Sequence, residues 1–176
     1  MADYRIIQLL TVKGSKEEMD KFYSILNNKY NSVLKIEKFI PIPNIQSSEI
    51  GDWCFDNWGS PCDIEYSTNL KVDEIKYRCI FNMLELIDVF ADRLSNMFPN
   101  LYIRLDASHH TGVYSFLFYN DTVIEINNET TGLYELSHNG ILLVDFTSVD
   151  YNLFFTDPIK YSEEIDLIIY EIEKKI

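Results

Sequence analysis

The tightest constraint on the fold is the order in which two hydrophobic periods alternate along the chain. Residues 4–12, YRIIQLLTV, form a nearly continuous apolar run stopped by Lys13-Gly14, which predicts a buried strand. SKEE follows, and Ser15 with Glu18 has the spacing of a capping box, where each side chain satisfies the other's free backbone N–H. Met19, Phe22, Tyr23 and Leu26 then recur at helical spacing. In residues 33–43, VLKIEKFIPIP, Leu34 and Ile36 alternate with Lys35 and Glu37 until Pro41 and Pro43, which predicts a half-exposed strand.

A second block repeats the order. CDIEYSTNL (62–70) and EIKYRCIFN (74–82) read as strands, the latter with Ile75, Tyr77, Cys79 and Phe81 on one face. Asn82 and Glu85 repeat the capping spacing ahead of Leu86, Ile87, Phe90, Leu94 and Met97, a helix ended by Pro99. LYIRLDA (101–107) is a strand, and GVYSFLFYND with TVIEI predicts a hairpin turning near Asn120-Asp121. LYELSHNGILLVDF predicts another hairpin around Asn139-Gly140, and YNLFF (151–155) a short strand. Asp157-Pro158 opens a closing helix with Tyr161, Ile165, Ile168, Ile169, Ile172 and Ile176 on one side. Two strand–helix–strand blocks predict an α+β fold, a ferredoxin-like antiparallel sheet with helices on one face. The reading gives a core over residues 1–127 and an acidic C-terminal extension, 128–176, packed on the same domain.

Charge narrows the possible partners. The chain carries 28 acids against 15 bases, a net of −13. Residues 121–176 hold 12 acids and only three bases. A field of this sign repels nucleic acid and lipid head groups and attracts basic protein surfaces. The three cysteines, Cys54, Cys62 and Cys79, cannot all pair within the chain, and the start lacks the pattern of a signal peptide. Both points suggest reduced thiols in a cytoplasm.

The stretch WCFDNWGSPCD (53–63) invites a chemical reading. Trp53 and Trp58 suit an aromatic clamp, yet Asp52, Asp56 and Asp63 surround them and would repel phosphates. A glycine after a buried tryptophan suits a left-handed turn, so a packing corner is the preferred reading. Cys54 and Cys62 are too far apart in sequence for a zinc-ligand pair, and small buried side chains are expected. Asp106, His109 and His110 in DASHHTG have metal-ligating chemistry, with His138 as a further donor. Adjacent histidines on a strand point to opposite faces, however, so no metal site is expected there. The glycines are isolated, and no phosphate-binding loop or nucleophile elbow is present. No catalytic residue and no cofactor are therefore assigned.

FIPIP, NWGSPCD, a helix ending LSNMFPNLYIRL, and TGVYSFLFYND occur in that order. Over about residues 34–120 this resembles the Api-ninety-two-like proteins of bacteriophages and mobile elements, small chains with a ferredoxin-like domain. Asn57-Trp58-Gly59 and Phe98-Pro99 carry the likeness most strongly. The family's Thr-Lys-Trp is Ser60-Pro61-Cys62 here. The resemblance implies a phage or mobile-element origin and the fold, and it carries over no catalytic residue.

These features predict a non-enzymatic acidic protein that binds and inhibits a basic, nucleic-acid-handling host defence protein, such as a CRISPR effector, by imitating nucleic acid. The expected partner-binding residues are Glu163, Glu164, Asp166, Glu171 and Glu173 on the closing helix, with Asp145 and Asp150 beside them. The alternative is a self-assembly module that uses an aromatic or edge-strand surface such as YSFLFY (114–119).

Overall fold

The structure, a computed structural model, describes residues 5–26, 33–109, 112–119, 122–129, 134–138, 141–143, 149–150 and 152–173. Its centre is strand β1 (Ile6–Lys13), which is buried because the sheet is covered on both faces: Leu9 and Leu10 point opposite ways and both are inaccessible. Helix α1 (Lys16–Leu26) follows, with the Glu18 amide donating to Ser15 Oγ at 3.3 Å, and it buries the expected stripe. Helix α2 (Ile50–Trp58) precedes the hairpin of β2 (Ser67–Val72) and β3 (Lys76–Met83). Helix α3 (Asp88–Met97) leads into β4 (Tyr102–His109). A meander of β5 (Gly112–Tyr119), β6 (Thr122–Glu129), β7 (Tyr134–His138) and β8 (Ile141–Leu143) continues the sheet, and α4 (Leu153–Thr156) and α5 (Pro158–Glu173) end the described chain.

The sheet order is β2-β3-β1-β4-β5-β6-β7-β8, antiparallel throughout. Its first four strands have the ferredoxin-like order, with both strand–helix–strand blocks in place, so the fold is α+β and ferredoxin-like as the sequence predicts. Strands β5 to β8 extend it past β4.

The two faces have different covers. On the first, Leu10, Val12, Tyr77, Cys79, Phe81, Ile103 and Leu105 pack with Phe22, Phe90, Leu94 and Trp58 from the three early helices. On the second, Leu9, Val113 and Leu117 pack with Phe154, Tyr161, Ile165, Ile168 and Ile169. Each such side chain stabilises the fold by about 1.5–3 kcal/mol through burial. The closing helix therefore makes a third layer on the opposite side from α1–α3, rather than joining the helices of one face.

Four local expectations are corrected. Residues 33–43 form a turn of 3-10 helix at Ile36–Lys38, not a strand, because the Asp63 carboxylate accepts the Ile36 amide at 2.7 Å and Phe39 joins Leu34 and Ile36 in the core. The connection around the tryptophans holds α2. Asn82 belongs to β3, and α3 starts five residues later than the capping spacing implies, with Ile87 at its N-cap. Gln8 of β1 does the capping, its Oε1 accepting the Ile87 amide at 3.1 Å while its Nε2 donates to the Glu85 carbonyl at 2.7 Å. Residues 153–155 of the predicted YNLFF strand lie instead in helix α4. The Asp157-Pro158 start holds, with the Lys160 amide bonded to Asp157 Oδ1 at 3.1 Å.

Candidate functional site

The second sheet face carries an unusual load of charge. Alternation puts Lys13 and Thr11 of β1, Lys76 and Arg78 of β3, and Tyr102, Arg104 and Asp106 of β4 on that side, with register placing Thr11 between Arg78 and Arg104. Arg78, Arg104 and Asp106 are completely buried. Four buried or half-buried cations near one carboxylate require further counter-charge, and α5 supplies it.

Asp166 is the hub. Its carboxylate lies 2.6 Å from Lys13 Nζ, 3.3 Å from Arg78 and 2.5 Å from Arg104, and it accepts the Tyr102 hydroxyl at 2.9 Å. Arg104 also donates to Asp106 at 3.1 Å and to the Ser162 hydroxyl and carbonyl. Burial works against ionisation of Asp166, but Arg104 and Lys13 overcome it and hold its pKa below the usual carboxylate value. Burial pushes Asp106 upward against the pull of Arg104 and Ser115. It lowers Lys13 despite Asp166, and Tyr102 is pushed up chiefly by burial. This is a charge-latched docking surface for α5 and not an open site.

Of the seven acids expected to meet a partner, the four with described side chains all have contacts within the fold. Asp166 points into the molecule and is corrected from partner ligand to internal counter-ion. Glu163 is half exposed and lies 3.4 Å from Arg78, and Glu164 lies 3.9 Å from Lys160. Asp150 accepts the Asn152 amide at 3.0 Å and its side chain at 2.9 Å. Asp145 and the side chains of Glu171 and Glu173 lie outside the described residues.

A different acidic surface is present on α2. Residues 39–70 contain Glu49, Asp52, Asp56, Asp63 and Glu65 and no Lys, Arg or His. Glu49, Asp52 and Asp56 recur at helical spacing, so they share the exposed face of α2 and its start, with Phe55 between them 52 % exposed. No cation approaches Asp52 or Asp56 among the described residues. The opposite face of α2 fixes the helix to the core. Trp58 is buried and donates Nε1–H to the Ile40 carbonyl at 3.0 Å, and its ring meets Trp53 edge-on at 6.0 Å. Gly59 then ends α2 at φ 78°, a left-handed conformation in which an added Cβ would lie 2.9 Å from the Leu86 carbonyl oxygen. The tryptophan corner packs the fold, as expected, and what it presents to solvent is the acidic α2 face, which reading the tryptophans alone missed. The signal in the sequence was the absence of any base over residues 39–70.

The other candidates settle simply. Cys54 and Cys79 are buried free thiols, Cys79 pushed up to about 12 by burial and Cys54 raised by burial. Cys62 is exposed, contrary to the expectation of a buried side chain there. Asp106 is committed to Arg104. The His109 and His138 side chains and all of His110 lie outside the described residues, and no metal-binding group of His, Cys, Asp or Glu occurs among the described ones. YSFLFY forms most of β5, paired on both sides by β4 and β6, so it cannot act as an edge strand. Among the described residues no helix is long and apolar enough to cross a membrane.

The fold and the site define an α+β scaffold with a ferredoxin-like half, one face latched by an acidic helix and one outer helix left acidic. Searches of family models, characterised proteins and solved structures find no match to this chain.

Proposed function

We propose that this chain is a non-enzymatic binding protein whose α2 face docks on a basic surface of a nucleic-acid-handling protein. The carrying observation is the exposed row of Glu49, Asp52 and Asp56 around Phe55, in a stretch of 32 residues without a single base. An aromatic side chain ringed by charges has the anatomy of an interface centre, where the ring supplies desolvated contact and the carboxylates bind Arg or Lys. Each carboxylate–cation hydrogen bond at such a centre contributes about 1.5–3 kcal/mol. The resemblance to phage and mobile-element proteins supports a host defence protein as partner, with inhibition of a CRISPR-type effector in the bacterial cytoplasm as the most specific form. Helix α5 is the weaker candidate, since its Asp166 carboxylate is engaged with Lys13, Arg78 and Arg104 inside the fold.

Affinity purification from a bacterial host, with partners identified by mass spectrometry, tests this. A basic nucleic-acid-handling protein is expected from the native chain at low salt and lost at high salt. It is also expected to be lost with Asp52→Lys/Asp56→Lys and weakened with Phe55→Ala. Recovery of the same partner by the charge-reversed variant refutes the assignment.

A further inference from the structure

The second face of the sheet is wider than its cover. Eight strands at about 4.8 Å spacing span roughly 34 Å, and one helix about 10 Å across cannot shield them. Helix α5 rests on β1, β3, β4 and β5 through Ser162, Glu163, Asp166 and Tyr161. At the corner where β1 begins and β3 ends, a groove of about 450 Å³ remains, and no described residue of α5 lines it. That volume falls among those of small-ligand sites, about 300–1,000 Å³.

Register decides which side chains face it. Thr68 pairs with Ile80 and Asn82 with Ile7, while Ile80 also pairs with Leu9, a residue of the second face. Strand alternation therefore puts all four groove residues on that side. Ile7 and Ile80 are half-buried and make the floor, whereas Thr68 and Asn82 are exposed. Tyr66 and Leu84 stand at the rim, 79 % and 59 % exposed. No hydrogen bond between described residues engages the Thr68 hydroxyl or the Asn82 carboxamide. That carboxamide offers a donor and an acceptor side by side.

Charge at the rim comes from Arg5, Asp63 and Glu65. The Asp63 carboxylate accepts the Ile36 and Ile64 amides, each at 2.7 Å. One cation beside two carboxylates, in a chain of net charge −13, recruits no phosphate, and Arg5 offsets the pull of Glu65 on a cation. An uncharged ligand fits this rim. A lipid tail would strip water from Thr68 and Asn82 and return no hydrogen bond. A planar nitrogen heterocycle meets every part of the groove, with its faces on the isoleucines and Tyr66 and its polar edge toward the carboxamide.

We infer that this groove binds an uncharged purine-type heterocycle, as free base or nucleoside, stacked on Tyr66 and recognised at its edge by Asn82 and Thr68. The groove uses none of Glu49, Asp52, Phe55 or Asp56, so this assignment and that of the α2 face can fail separately.

The test is titration of the isotope-labelled full chain with adenosine and with inosine, followed through backbone amide shifts. At least one nucleoside is expected to give saturable shifts at Thr68, Ile80, Asn82 and Leu84. Adenosine monophosphate should bind more weakly because of the rim carboxylates, and ribose should give no shifts there. Toluene, which suits the floor but has no polar edge, should bind more weakly than the nucleoside. Asn82→Leu should weaken the nucleoside at least about tenfold and leave toluene unaffected. Tyr66→Ala should weaken both about tenfold. Both substitutions lie at exposed positions, and a native melting curve is expected of each. Absence of saturable shifts with both nucleosides, tighter binding of the monophosphate, or nucleoside binding that survives both substitutions overturns the inference. Toluene binding as tightly as the nucleosides overturns it in favour of a merely apolar groove.

Discussion

Replacing Asp166 by Asn removes one negative charge from the junction of β1, β3, β4 and α5 while keeping its shape. Arg104 is fully buried and retains Asp106 and Ser162; Arg78 is fully buried, its Nε has no hydrogen-bond partner, and it retains Glu163 at 3.4 Å. Lys13, 23 % exposed at its side chain, can turn toward water. Two buried guanidiniums thus lose their shared counter-ion, a change that costs about 3–5 kcal/mol when one partner of a buried pair is removed. The surviving partners put the expectation at the lower end, about 3 kcal/mol, against a typical total of roughly 5–15 kcal/mol. Urea unfolding measures it: with m near 1–3 kcal/mol/M, the midpoint should fall by roughly 1–3 M. Glu163→Gln, at a half-exposed pair, should cost at most about 1 kcal/mol. The pH dependence gives a second reading. The folded pKa of Asp166 is lowered, so its contribution is present above the unfolded value of about 3.9 and disappears as pH falls through the folded value. Asp106, raised by burial, acts oppositely, losing stability as pH rises from its unfolded toward its folded value. The difference between native and Asp166→Asn unfolding curves should therefore shrink toward acid. A loss below about 1 kcal/mol at neutral pH, or a pH-independent difference, would refute the latch.

Gly59→Ala forces a Cβ into a left-handed residue 2.9 Å from the Leu86 carbonyl oxygen, and should lower stability by about 1–3 kcal/mol in the same urea assay; an unchanged midpoint would show that the α2 exit relaxes. Gln8→Leu strips the cap from α3 and leaves the buried Ile87 amide unpaired, an expected loss of about 1–3 kcal/mol with faster amide exchange confined to the start of α3. With an aromatic disulfide reagent, one thiol, Cys62, should react in the native chain and all three after unfolding, because burial raises both Cys54 and Cys79; native reaction of two or three contradicts the burial.

What the sequence revealed was whatever depended on local period. The capped α1, the buried β1, the hairpins about residues 120 and 140, and α5 all follow from spacing that one segment contains. The errors arose where a distant group decided the outcome. Residues 33–43 alternate like a strand, but Asp63, some 27 positions on, ties down the Ile36 amide and winds the turn. Asn82 looks like a cap, yet register pairs it with Ile7 in the sheet, and Gln8 from another strand caps α3 instead. YSFLFY looks like an exposed edge only until β6 is laid beside it.

The placement of Asp166 was within reach of the same reasoning. On α5, Ser162 and Asp166 stand one turn apart and next to Ile165 and Ile169, at the margin of the apolar stripe rather than opposite it. In β3 and β4, Arg78, Arg104 and Asp106 alternate with buried apolar residues, which in a central strand sends them to the second covered face. Buried guanidiniums demand a counter-charge from whatever covers them, and a helix with an acid at its inner margin meets that demand. Net charge counts such a carboxylate as if it faced solvent. What a partner can bind is the charge left after the fold has matched its own, and by that measure the base-free face of α2 outranks α5, whose Asp166 is spent on Lys13, Arg78 and Arg104.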